Sequence, residues 1–210
     1  MGDGWTGINI GQLIHDLAAF RDAIGAAQKK YIEAYTEFES ILYDAWASPQ
    51  AQAFQDYLVQ LQYYGRGIGA NGNEILESAT DAARTLATSN GATFPFSYEK
   101  LIEDVGWPLV LEESKGGVVG MDVARVKAAY DAFKGQSEGV ITLLDSLPMN
   151  FAVFDPSGDL VATYKNKIDF VRNSLENALN NTTAKVNSVI AEEEQSILRG
   201  KTQAESELAG

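Results

Sequence analysis

Cysteine is absent from this chain. That excludes disulfides, thiolate metal sites and a cysteine nucleophile, and it leaves the redox compartment open. Histidine occurs once, at His15, so no Ser/His/Asp set can be assembled around it, and no second histidine lies within helical reach to share a metal. Basic residues are few: 16 Lys and Arg stand against 29 Asp and Glu, a formal charge of −13. A phosphate-binding surface needs clustered cations, so nucleic acid is not an expected partner, and an anionic membrane surface is disfavoured for the same reason. No apolar run approaches the roughly 20 residues that a membrane span requires. The opening stretch MGDGWTGINIGQLIHDLAAF has no basic n-region, and its apolar residues are spaced, so no cleaved secretory leader is expected.

What the chain does contain is apolar residues in register. At 45% apolar over 210 residues, it can bury a sizeable core as one or two domains. From residue 10 two series keep a seven-residue repeat: Ile10, Leu17, Ile24, Tyr31, Phe38, Ala45, and Leu13, Phe20, Ala27, Ala34, Ile41. This a/d pattern predicts a long helix over Ile8–Tyr43 that packs nearly parallel to its neighbour. A second run has the same spacing, through Phe54, Leu58, Leu61, Gly65, Ile68, Gly72, Ile75, Ala79, Ala82 and Leu86. Glycine in its seam predicts close approach of the partner helix, or a kink, with Asn71-Gly72 as a possible break.

Residues 88–120 are punctuated by Gly, Pro and Asn, and they read as a linker carrying a short helix at Ser97–Val105. Its apolar side chains, Phe94 to Leu111, predict packing on the bundle. Val123, Val126, Tyr130, Phe133, Ser137, Val140, Leu144 and Leu147 then mark a third helix, ended by Pro148. A fourth is predicted over Pro156–Leu198, with Leu160, Tyr164, Ile168, Val171, Leu175, Val186, Val189 and Ile197 on or near its apolar face. The last residues are polar and predict a frayed end.

The two halves resemble repeats of one unit. Trp46-Ala47-Ser48-Pro49 at the first turn is echoed by Phe154-Asp155-Pro156 at the second. In each, an aromatic precedes a helix N-cap (Ser48, Asp155) and proline takes the first helical position. A helical pair cannot bury its seam alone, so each is expected to cover the other. The predicted fold is all-α: two tandem antiparallel hairpins in an elongated four-helix bundle. Its parts are a hairpin over 1–88, the linker over 89–120, a degenerate second hairpin over 121–199 and a flexible tail over 200–210.

The first turn is more specific than its tryptophan. A long amphipathic helix, then Trp46-x-Ser48-Pro49, then Ala51 and Phe54 opening another long helix, resembles the WXG100 (ESAT-6-like) family of type VII secretion proteins. In that family Trp-x-Gly, or less often Trp-x-Ser, marks the turn of a helical hairpin. The resemblance implies a non-enzymatic, leaderless protein that is exported by such a system or serves it as an adaptor, starting in the cytoplasm and reaching the cell surface or medium. Its implied partner is the secretion ATPase or a co-secreted helical protein. Two features differ from the family pattern: members about half this length dimerise to make the bundle, whereas this chain carries both hairpins. The family's Tyr-x-x-x-Asp/Glu export signal is matched only by Tyr35-x-x-x-Glu39, inside the first helix.

A monomeric pseudo-dimer or a small defined complex is the expected state. A structural assembly protein, such as a phage or coiled-coil scaffold component, and a membrane-active helical effector stand as alternatives. Gly67–Gly72 reads GIGANG, but without a preceding strand it does not make a dinucleotide site. The run Glu192–Glu194 points in several directions along a helix and reads as a solvated face. The acceptor pattern in Asn180–Thr183 carries little weight without a leader. No catalytic residue, cofactor or metal is expected. Gly65, Gly69 and Gly72 are expected to loosen the second helix, so that alanine at all three would raise thermal stability.

Overall fold

The computed structural model describes residues 7–209. The chain is all-α, and among the described residues it is built on four helices with one two-residue strand pair: α1 Ile10–Ala45, β1 Trp46–Ala47, α2 Pro49–Ser89, β2 Gly120–Met121, α3 Val123–Asp145 and α4 Asp159–Leu208. Three helices start at side-chain caps. Asn9 accepts from the Gln12 amide, Ser48 from Ala51 and Asp122 from Arg125, each filling one of the orphan donors of a first turn. α2 ends in a Schellman arrangement: Gly91 takes φ +74°, its amide bonds the Thr88 carbonyl, and the Ala92 amide bonds the Ala87 carbonyl.

Heptad positions become core positions with few exceptions. On α1 all of the two series are buried except Ile10 and Ile41, which are half-buried. Gln28, Tyr35, Glu39 and Leu42 are buried too, because α1 packs against both α2 and α3 and also carries the linker. α4 completes the set by packing against α2 and α3. Tyr31 donates to the Leu61 carbonyl, Tyr130 to that of Leu179, and Ser78 shares a 2.7 Å bond with Tyr164. Phe133 of α3 stacks on Phe38 of α1 at 5.0 Å between centroids and meets Tyr31 edge-on.

Toward the end of α2 the buried stripe moves from Ala82 and Leu86, the expected pair, to Ala83 and Ala87. A helix at 3.6 residues per turn drifts against a 3.5-residue repeat, and over 41 residues the drift amounts to one position. Glycine does not interrupt α2, and Asn71-Gly72 lies within it. α4 begins at Asp159, later than expected, and runs through the stretch read as a flexible tail. Ile197, placed near the apolar face, is exposed, as is every described residue after Glu193.

The linker holds no helix at Ser97–Val105: residues 92–112 form neither helix nor strand. The reason lies in where its backbone bonds go. Side chains of α1 and α2 supply them, as Gln28 bonds both the amide and the carbonyl of Ile102 and Asn73 bonds both those of Leu101. Gln55 donates to the Leu109 carbonyl and accepts from the Leu111 amide. A helix would have to satisfy these groups internally, and the linker's apolar residues, spaced around two prolines and Gly106, offer it no continuous face. The strap so formed runs alongside α1 from Arg21, whose side chain bonds the Glu99 carbonyl, to the first turn, where the Ser48 amide bonds the Glu112 carbonyl.

Candidate functional site

The first turn is a closed polar knot inside an apolar one. After Ala45 the backbone turns extended, with Trp46 at φ −146°, ψ 124°, because β1 pairs antiparallel with β2: Trp46 with Met121 and Ala47 with Gly120. The Asp122 amide bonds the Ala45 carbonyl at 2.8 Å. The tip of the first helical pair is thus stitched to the start of α3, a strand contact with no signature in the heptads.

Trp46 is 2% exposed. Its indole ring lies 5.5 Å from Phe54 in α2, and Phe54 stacks on Tyr57 at 5.3 Å. The indole N–H donates to Ser48 Oγ and to Glu193 Oε1, each at 2.9 Å. Ser48 Oγ accepts from the Ala51 amide as the α2 cap and donates its own proton to Glu193. Trp46, Ser48, Ala51 and Phe54 therefore converge, while Pro49 fills the first helical position on the exposed side. The carboxylate is the group that residue reading missed. Glu193 is buried, in the middle of a run expected to be solvated. The signal was present in the spacing, since Glu193 follows Val186 and Val189 at i+7 and i+4 on the apolar stripe of α4.

The second turn departs from the first. Asp155 is not the N-cap of α4 and Pro156 is not its first residue; the cap position belongs to Gly158, at φ +78°. Asp155 is buried and reaches the helix from outside, its Oδ2 accepting from the Val161 amide at 2.8 Å. Three residues of turn separate the aspartate from the helix, so its side chain does the work of a cap without the backbone of one. The buried aromatic is Phe151, while Phe154, the expected one, is half-buried and stacks on it at 5.2 Å. Phe151 packs edge-on against Phe20 and Tyr164. The two turns share none of these partners.

Chemically the first turn is a fastening. Ser48 and Glu193 lie next to each other, both sealed from solvent, and among the described residues their side-chain bonds go to each other, to the Trp46 indole and to the Ala51 amide. His15 sits on an exposed face, 3.4 Å from Asp16. Among the described residues no group of three or more His, Asp or Glu is arranged to hold a metal ion, and no helix is long and apolar enough to cross a membrane. The glycines of GIGANG lie in mid-helix, far from any helix N-terminus. Comparison with protein-family models, with curated proteins and with solved structures finds no match.

Proposed function

We propose that this chain is a protein-recognition module of the WXG100 kind, in which two helical hairpins packed on each other do within one polypeptide what shorter members do by dimerising. The observation that carries this reading is the buried Trp46-x-Ser48 turn, with its indole and hydroxyl both held by Glu193 of α4. A tryptophan at the tip of one hairpin, tied to the last helix of the next, is what a self-contained pair of hairpins requires. The chain then leaves the cell through a type VII secretion system, or serves that system as an adaptor, by presenting a preformed helical surface to the secretion ATPase or to a co-secreted helical partner. Its work is binding, not chemistry.

The test is fractionation of the source organism with and without its secretion ATPase, with mass spectrometry of the intact chain. Full-length protein in the medium or at the surface only when the ATPase is active supports the reading. Retention in the cell in both strains, with no ATPase-dependent complex, overturns it.

A further inference from the structure

The groove between α1 and α2 reads peptide backbone. Gln28, Asn73 and Gln55 each hold an N–H and a C=O of the strap, the pairing that a neighbouring β-strand would otherwise supply. Gln62 adds a bond to the Val105 carbonyl, and Glu39 accepts from the Leu109 amide. Backbone contacts of this kind are indifferent to the side chains that ride on them. Of the strap's residues 97–112, Leu101, Pro108 and Leu111 are buried, the two leucines at 6% and 1% exposure. Ile102, Trp107 and Val110 are 54%, 90% and 67% exposed, so these three side chains contribute little to its hold.

The floor of the groove is shaped for the strap as well. A Cβ at Gly69 would overlap the Ile102 carbonyl and the Gln28 amide, and one at Gly72 would overlap the Leu101 side chain. Gly69 admits the strap's backbone, and Gly72 admits Leu101 of the strap together with Ile24 of α1. The strap leaves space on either side. A hollow of about 480 Å³ opens between it and α1 beside Arg21, Gly25 and Ile32. Another, of about 320 Å³, opens toward α2 beside Val59, Tyr63 and Trp107.

We propose that the α1–α2 groove is a receptor for an extended peptide, that residues 97–112 fill it as a resident ligand, and that a segment of a partner polypeptide takes their place. The ligand class follows from the contacts: an extended segment with leucine-like anchors at the spacing of Leu101 and Leu111, its backbone held by the amides of Gln28, Asn73 and Gln55. The strap's hold rests on its backbone bonds and on Leu101, Pro108 and Leu111, while its attachment at both ends keeps the groove filled until a competitor arrives. The site stands whether or not the chain is a secretion substrate.

The test uses the full chain and a fluorescein-labelled synthetic peptide of residues 97–113, read by fluorescence anisotropy. Placing Leu101→Asp and Leu111→Asp together in the chain removes the resident anchors. This variant, with helical content unchanged by circular dichroism, is expected to bind the peptide at least ten-fold more tightly than the unaltered chain does. Adding Gly69→Ala to it is expected to abolish that binding, and a peptide carrying Asp at both anchor positions should not bind. A helical variant that binds no better than the unaltered chain overturns the proposal. So does loss of helix on removing the anchors, which would make the strap an integral part of the core. If the unaltered chain forms dimers that the two aspartates abolish, the occupant is a second copy's strap and the proposal also falls.

Discussion

Glu193 accepts the indole proton of Trp46 at 2.9 Å, across 147 residues of chain. The same carboxylate takes the Ser48 hydroxyl proton, so one side chain of α4 fixes both the turn tryptophan and the α2 cap. Removing it leaves the buried Ser48 hydroxyl without an acceptor and the indole with Ser48 Oγ alone, which costs about 1–3 kcal/mol. Glu193→Ala is therefore expected to lower the thermal midpoint by about 2–12 °C, at the 2–4 °C per kcal/mol usual for a chain of this size. Glu193→Gln keeps an acceptor oxygen and should recover more than half of the loss. Calorimetry of the two variants decides the matter: equal losses would mean that the carboxylate's charge, and not its position, holds the turn.

Glycine in α2 has two opposite roles, and alanine scanning separates them. Gly67 has nothing within 4 Å of where a Cβ would go. Gly67→Ala should stabilise by about 0.5–1 kcal/mol through helix propensity alone. At Gly69 a Cβ runs into the strap, and overpacking of that kind costs about 1–3 kcal/mol. Gly69→Ala and Gly72→Ala should thus lower the urea midpoint where Gly67→Ala raises it. This reverses the expectation from sequence that alanine at Gly69 and Gly72 raises thermal stability, and a gain in stability at Gly69 would restore that expectation.

The heptads of α1 and α3 were legible because their positions face neighbours throughout, and apolar spacing records that directly. The extended strap was not, because its partners are amides on other helices: nothing in SYEKLIEDV states that Gln28 and Asn73 will satisfy its backbone. At the first turn Trp46, Ser48 and Phe54 were readable as a motif, since a cap, a proline and an aromatic lie within a few residues. Glu193 was hidden by its neighbours. Glu192 bonds Ser188 on the exposed side and Glu194 is solvated, so a run of like residues concealed one that faces inward.

Phe151 and Phe154 test which aromatic closes the second turn. Phe151 is fully buried between Phe20 and Tyr164, and truncating such a ring costs about 3–5 kcal/mol. Phe154 is half-buried and stacks on Phe151. Phe151→Ala should cost at least twice what Phe154→Ala costs in chemical denaturation. The opposite order would return the second turn to the pattern of the first, with the aromatic just before the aspartate as its anchor.

Buried phenols make the fold sensitive to alkali. Burial pushes Tyr31 well above the usual tyrosine value of 10.0, with smaller contributions from Tyr64 and Tyr130. Tyr35 is raised by burial and by the Glu39 carboxylate that accepts its proton at 3.1 Å. Burial also raises Tyr130, partly offset by its bond to Thr183. Each of these groups keeps its proton in the folded chain over a range in which the unfolded chain has released it. The unfolded state then binds fewer protons, so stability falls as pH rises. The contribution is intact below pH 10 and is lost above it, progressively up to the raised folded values. Urea midpoints should therefore fall steadily above pH 10, and the phenolate absorbance of these three side chains should appear only with the loss of helical circular dichroism. In the variant Tyr35→Phe, which removes the phenol nearest Glu39, the alkaline decline should be shallower. An unchanged slope would place the sensitivity elsewhere in the molecule.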